Sequence, residues 1–369
     1  MKKNILLSVG LFLLAGMILH AQSKQGLYVG DAFQGEMDLY DSLDWIAANA
    51  QDGGEYSIVL GTSIAVSSSV LDYSGKSVTV SLKSSGETLQ VSYATRSPSS
   101  SLFTVKAGVT FVLEKGVELV GRPSASRPPV TVDGGNFIMN GGAVKDSTVD
   151  HDNTWFGGGV DLLRGTFTMN DGIISGNVAG SGAGVTVGEN TTFTMNGGII
   201  TGNSAGDYFN GSFGGGVFVE KNAKFTMNGG TINSNSAAHG NGYGGGGGVY
   251  VGSNGTFEMK GGVIAKNVAN KNATGGGGVF VDGKFMMNDG TISGNSTTKS
   301  GGGVLVDGGT FTKSNTAGVI YGGDAADDKA NKADQYGHAV HTKNGSRDTT
   351  ARVTMALDSR KQGAEGGWE

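Results

Sequence analysis

Residues 214–237 read GGGVFVEKNAKFTMNGGTINSNSA, a stretch with five glycines and four asparagines. Such a composition fits two opposite objects, a flexible linker or one coil of a rigid repeat. The apolar residues discriminate between them. Val217 and Val219, then Phe225 and Met227, are spaced two apart, the period of a strand that buries one face. Glycine and Asn-Gly-Gly corners separate the segments, and Ile232 and Asn235 close the unit.

The same unit recurs on either side of it. Phe-x-Met-Asn stands at 137–140, 167–170, 193–196, 225–228 and 285–288, with degenerate copies beginning at Phe257 and Phe311, at intervals of 26 to 32 residues. Seven residues after each Phe comes an aliphatic residue: Val144, Ile174, Ile200, Ile232, Ile264 and Ile292. Three further on, the last five copies place Asn177, Asn203, Asn235, Asn267 and Asn295. Upstream, glycine runs lead into Val160/Leu162, Val185/Val187, Val217/Val219, Val249/Val251, Val279/Val281 and Val304/Val306. A disordered segment has no reason to keep such spacing. Strands this short bury their apolar face only by stacking coil upon coil. The expected fold is all-β, a single-stranded right-handed parallel β-helix (β-solenoid) with three short strands per coil. Glycine meets the positive φ and close backbone approach at the corners, and asparagine can hydrogen-bond along a stacked ladder.

Beyond the repeats, Lys2, Lys3, an apolar run from Ile5 to Leu19 and Ala21 have the layout of a secretory signal peptide over residues 1–21. That run falls short of the roughly 20 apolar residues of a membrane span. Residues 22–55 are expected to form a cap with a short helix at 42–50 (SLDWIAANA), with Ser42 as N-cap. Irregular coils follow at 56–134, regular repeats at 135–323, and a closing coil with tail at 324–369. The chain has no cysteine, so packing and backbone hydrogen bonds must hold it together. Its net charge of −5, without any basic block, argues against nucleic acid or an anionic membrane as partner.

Length varies at one corner. From the aliphatic residue to the next coil's first Val the gap runs from 11 to 17 residues, whereas Val to Phe spans only 6 to 8. In solenoids a loop-bearing edge is often the binding face. Several of these loops carry rings or imidazole: His151, Trp155 and Phe156; Tyr208, Phe209 and Phe213; His239 and Tyr243. These aromatics either line a binding edge or fold back over neighbouring coils. Between the paired valines, the outward residue is Asp161, Thr186, Phe218, Tyr250, Phe280 and Leu305 in successive coils. Uncovered, that aromatic stripe is a candidate interaction surface; covered by the loops, it is a self-stabilising stack.

The next corner carries Glu220, Asp282 and Asp307. Calcium takes six to eight oxygens. Glycine interrupts these acids and the tandem nonapeptides of calcium-binding β-rolls are absent, so a solvated acidic edge without a cofactor is the expectation. Glycosidases need a carboxyl pair about 5 to 9.5 Å apart, yet Asp171 and Asp289 stand in Asn-Gly-Gly corners where Asp serves the turn. Nucleophile-elbow and zinc-protease motifs are also missing. No catalytic or metal-binding residue is therefore assigned.

The glycine-rich GGGVFV, GGGGVYV and GGGGVF, each followed by a Phe-x-Met segment such as FTMN, resemble the paired GGA-[ILV] and Phe-x-x-Asn repeats of bacterial polymorphic outer-membrane proteins. The resemblance covers roughly residues 135–315. It departs from the family pattern at Gly215-Gly216-Val217, where the family has alanine third, and no series of alternating ten-residue strands follows to build the family's C-terminal β-barrel. It implies an exported, non-enzymatic adhesin at the cell surface or outer membrane, with secretion or the periplasm as other destinations. The implied partner is a host or cell-surface protein or glycan. A carbohydrate-binding or carbohydrate-active β-helix is the alternative.

Overall fold

The structure is a computed structural model that describes residues 24–94, 100–149, 157–206, 211–239, 244–271, 273–314, 317–326 and 328–343, with the backbone of 367–368. The signal-peptide segment lies outside the described residues.

The chain is a parallel β-solenoid whose three main ladders run nearly its whole length. One ladder starts at Ser69–Leu71, passes through Val217–Val219 and Val249–Val251, and ends at Val340–Lys343. A second runs from Gly54–Leu60 through Lys224–Met227 to Thr310–Lys313, and a third from Ile64–Val66 through Thr231–Asn233 to Val319–Ile320. Register is strict: Phe225 lies against Phe193 and Phe257, and Ile232 against Ile200 and Ile264. A one-residue slip would turn the whole buried set outward, so the alternation itself holds the register.

A fourth, shorter ladder joins the three expected. Val178–Ala179, Ser204–Ala205, Ser236–His239, Val268–Lys271, Ser296–Thr297 and Lys332–Ala333 pair in parallel. Its inward side chains are small: Ala179, Ala205, Ala237 and Ala269 are fully buried. Four of its six strands have only two residues, which gives period two nothing to register, and this is why alternation overlooked it. Its sequence mark is the recurrent Asn-x-Ala or Asn-x-Thr that begins at each buried asparagine.

Inside, like residues stack on like. Phe167, Phe193, Phe225, Phe257 and Phe285 form one column with ring centroids 4.6 to 4.8 Å apart and planes within 6° of parallel. Each buried ring contributes about 1.5–3 kcal/mol by leaving water. Beside it run Met169, Met195, Met227, Met259 and Met287, all fully buried. The second glycine of each Asn-Gly-Gly corner is where these methionines demand space. Gly230 sits at φ +84, and a Cβ there would lie 2.6 Å from Met195 Cε. Gly262 repeats this against Met227.

Asparagine lines the fourth corner. Asn177, Asn203, Asn235, Asn267, Asn295 and Asn331 are buried, and each of the first five donates from Nδ2 to the next Oδ1 at 2.9–3.0 Å. The same Oδ1 accepts the preceding asparagine's backbone N–H, as Asn235 does from Asn203 at 3.0 Å. Asn331 extends the row into residues 324–369, the segment expected to hold a closing coil with tail.

Both ends are capped. The helix (α1) spans Leu39–Asn49, starting earlier than the expected 42–50, and its N-cap is Asp38 rather than Ser42. Asp38 accepts from the Asp41 N–H at 2.9 Å, while Ser42 lies within the helix, buried beside Leu39 and Ile46. The acid three residues before Asp41 thus takes the role because the helix extends to bury Leu39. Gly26–Val29 adds antiparallel to Gly54–Leu60 and blocks that edge. At the far end, Gly367–Trp368 pairs antiparallel with Val340–Lys343. The expected closing strand at 351–355 lies outside the described residues.

Candidate functional site

The outward stripe of the first ladder is covered. Phe218 is 8% exposed, Phe280 6% and Leu305 1%. The physical reason is a single-residue-wide ladder laid over it, formed where the chain approaches each glycine run: Ser181, Phe213, Gly245, Gly275, Ser300 and Tyr336 bridge in sequence. A Cβ on Gly245 would sit 3.1 Å from the Phe280 ring, and one on Gly275 would sit 2.9 Å from Leu305 Cδ2. Tyr336 stacks on His341 at the end. Leu305 and Phe280 therefore serve as packing, not as a surface.

Beside Phe213 the cover borders a cleft. Phe213 lies 5.7 Å from Phe218 and 4.6 Å, edge-on, from Tyr250, and Tyr250 stacks on Phe280 at 4.7 Å. Phe213, Phe218 and Tyr250 wall a cleft of about 330 Å³, whose other lining residues are Glu220, Lys221, Gly252, Ser253 and Asp282. The loop aromatic Phe213 and the stripe residues Phe218 and Tyr250 are thus brought together. Trp155, Tyr208 and Tyr243, with His151, Phe156 and Phe209, lie outside the described residues; only the backbone of His239 is described, in the fourth ladder.

Register explains the notch. Val219, Val251 and Val281 are stacked partners, so Glu220, Gly252 and Asp282 follow one another down the acidic corner. With rungs about 4.8 Å apart, the two acids stand about 9.6 Å from each other along the ladder, and Gly252 leaves the rung between them without a side chain. Burial raises the pKa of Glu220; the Glu189 N–H works against this and the Glu189 charge adds to it. Burial, then Asp307, raises that of Asp282. The Tyr250 phenol is lifted by burial and by Asp282 and Asp307. Asp307 itself pairs with Lys343 at 3.7 Å.

Among the described residues no group of three or more His, Cys, Asp or Glu converges to hold a metal ion, and Glu220, Asp282 and Asp307 form no such group. Nor is any described helix long and apolar enough to cross a membrane. One acid that alternation had placed on the stripe emerges in a different light. Asp161 is 1% exposed, its Oδ2 has no hydrogen-bond partner among the described residues, and burial, then Glu220, pushes its pKa up to about 7 against the pull of Arg127 and the Gly157 N–H. Sequence could place Asp161 on the outward side of its strand but not say that it would be buried there. No family model, curated protein or solved structure matches this chain.

Proposed function

We propose that this protein is an exported, non-enzymatic β-solenoid that acts as an adhesin or surface-interaction protein through its loop-bearing edge. The observation that supports this reading is the cleft at Phe213, Phe218 and Tyr250. There the rings of the aromatic stack border a concavity in which Tyr250 is only half-buried. An aromatic-walled concavity with a few polar groups at its rim is the usual form of a recognition site. The signal-peptide layout and the repeat resemblance support an exported location. Carbohydrate recognition, the alternative, would use the same rings as stacking platforms.

Ser253 offers a clean test because it is exposed and lines the cleft without supporting the core. Ser253→Trp should fill the cleft and leave the melting temperature within about 2 °C of wild type, since an exposed substitution changes stability by only about 0.5 kcal/mol. Purified wild-type protein should bind some member of a panel of immobilised extracellular-matrix proteins and glycans, and the Trp variant should lose that binding. Proteolysis of intact producing cells should degrade the protein. Protection in intact cells, or binding that ignores the plug, would overturn the reading.

A further inference from the structure

We propose that the cleft receives a basic side chain of a protein partner: an ammonium or guanidinium carried on an apolar stem, seated over Gly252 between Glu220 and Asp282. This rests on reading the cleft as the interaction site and adds the chemistry of what enters it.

Three features of the cleft converge on that occupant. Its walls are the rings of Phe213, Phe218 and Tyr250, which suit the methylene stem of a long basic side chain and attract a cation over their faces. Its rim carries two carboxylates on the same corner, two rungs apart, with a glycine between. A cation at the Gly252 level would therefore lie about one rung, roughly 4.8 Å along the ladder, from each acid.

Two nearby acids already have cations beside them. Asp307 holds Lys343, and Glu258 lies near Lys224 at 3.9 Å and Lys260 at 3.5 Å. No ion pair is formed at Glu220 or Asp282 among the described residues. Both carboxyls are partly withdrawn from water, so their ionised forms lack solvation that a bound cation would restore. A neutral sugar could stack on the rings but would leave the two carboxylates uncompensated.

Among the described residues Lys221 is the one basic residue lining the cleft, and it is exposed. Its ammonium competes for the same two acids, so removing it should strengthen binding. A purely structural role for the cleft predicts no such gain.

The test uses the full chain and an acetylated, amidated lysine-serine repeat peptide, with the same peptide bearing acetyl-lysine as control, measured by calorimetry at low salt. The lysine peptide should bind wild type, and the acetyl-lysine peptide should not. Binding should weaken about tenfold or more in Glu220→Gln/Asp282→Asn and tighten in Lys221→Gln, each tenfold being about 1.4 kcal/mol. Were the double variant to misfold, Lys221→Gln and the acetyl-lysine control on wild type would still decide. Equal binding of both peptides, no binding of either, or weaker binding in Lys221→Gln overturns the cation. If the matrix or glycan panel still responds to Ser253→Trp while the peptide does not bind, the cleft remains an interaction site and only its proposed occupant is wrong. A glycan as the plug-sensitive ligand, with no response to lysine, would point to the carbohydrate alternative.

Discussion

At the scale of single residues, Asp161 carries the sharpest energetic contradiction in the molecule. A buried carboxyl with one oxygen unpartnered among the described residues is held near a pKa of about 7 instead of its ordinary 3.8. The native state thus binds a proton that the unfolded chain has released between these two values. Stability from this group is present below about pH 3.8 and declines as pH rises toward 7, a span worth about 4 kcal/mol. Asp161→Asn keeps the shape and the acceptor for Gly157 while removing the ionisation. The variant should exceed wild type by about 1.6 kcal/mol at pH 5 and by about 4 kcal/mol at pH 8, read as a larger rise in melting temperature at the higher pH. A gain of equal size at both values would mean that ionisation is not the cost. The sequence named Asp161 as one step of an outward row, and its neighbours along the chain, Val160 and Leu162, do point inward as expected. What alternation could not supply was the burial of Asp161, because period two reports which side a residue faces and nothing about what lies on that side.

At the scale of elements, the two asparagine rows separate by burial. The row at Asn140, Asn170, Asn196 and Asn228 is exposed, with Asn228 donating to Asn196 at 2.8 Å in competition with water. Asn235, by contrast, accepts from the Asn203 backbone and side chain and donates to Ile200 O and Asn267 Oδ1, all inside the solenoid. Truncating Asn235 to Ala removes the side-chain partners of Asn203 N–H and Ile200 O, while Asn203 Nδ2 keeps its bonds to Ile174 O and Thr201 O. At about 1–3 kcal/mol for each of these two buried groups, the loss should be about 2 kcal/mol or more. Asn228→Ala should cost about 0.5 kcal/mol or less. Denaturant unfolding of the two variants compares them directly, and similar losses would refute a structural role for the buried row. Five of these buried asparagines were legible from their fixed distance to Phe. Asn331 was not, since its coil keeps the Asn-x-Ala of the fourth ladder but has lost the Phe-x-Met-Asn used to count.

At the scale of the whole molecule, a stack of parallel coils has two open ends, and each would present unpaired backbone and core side chains. Here α1 closes the first with Leu39 and Ile46 buried, Trp45 lies 6.4 Å from Tyr56, and Lys76 Nζ donates to Ala50 O at 2.6 Å. Ile46→Glu would place an unpaired carboxylate in that contact and release the helix. Because coils further along rest only on their neighbours, most of the solenoid should survive. Its exposed end should then associate, visible as concentration-dependent growth in light scattering with the strand circular-dichroism signal retained. A monomeric variant with intact spectra would show that α1 is not what keeps the end closed. The same nearest-neighbour logic explains why ladder after ladder keeps its register while the loop-bearing corner changes length from coil to coil.

By itself the sequence determined the solenoid, the inward set of Val, Phe, Met and Ile, the stacked asparagines and the corner at which insertions gather. These follow from spacing, and spacing along a repeating chain is a local property that strand geometry converts directly into stacking. Tertiary structure alone decided that the aromatic stripe is roofed by backbone and that the loop residue Phe213 comes to rest against Phe218 and Tyr250 beside a cleft. Those relations join residues one or more coils apart, and they depend on where the variable corners fold back, which no repeat of period two or of one coil encodes.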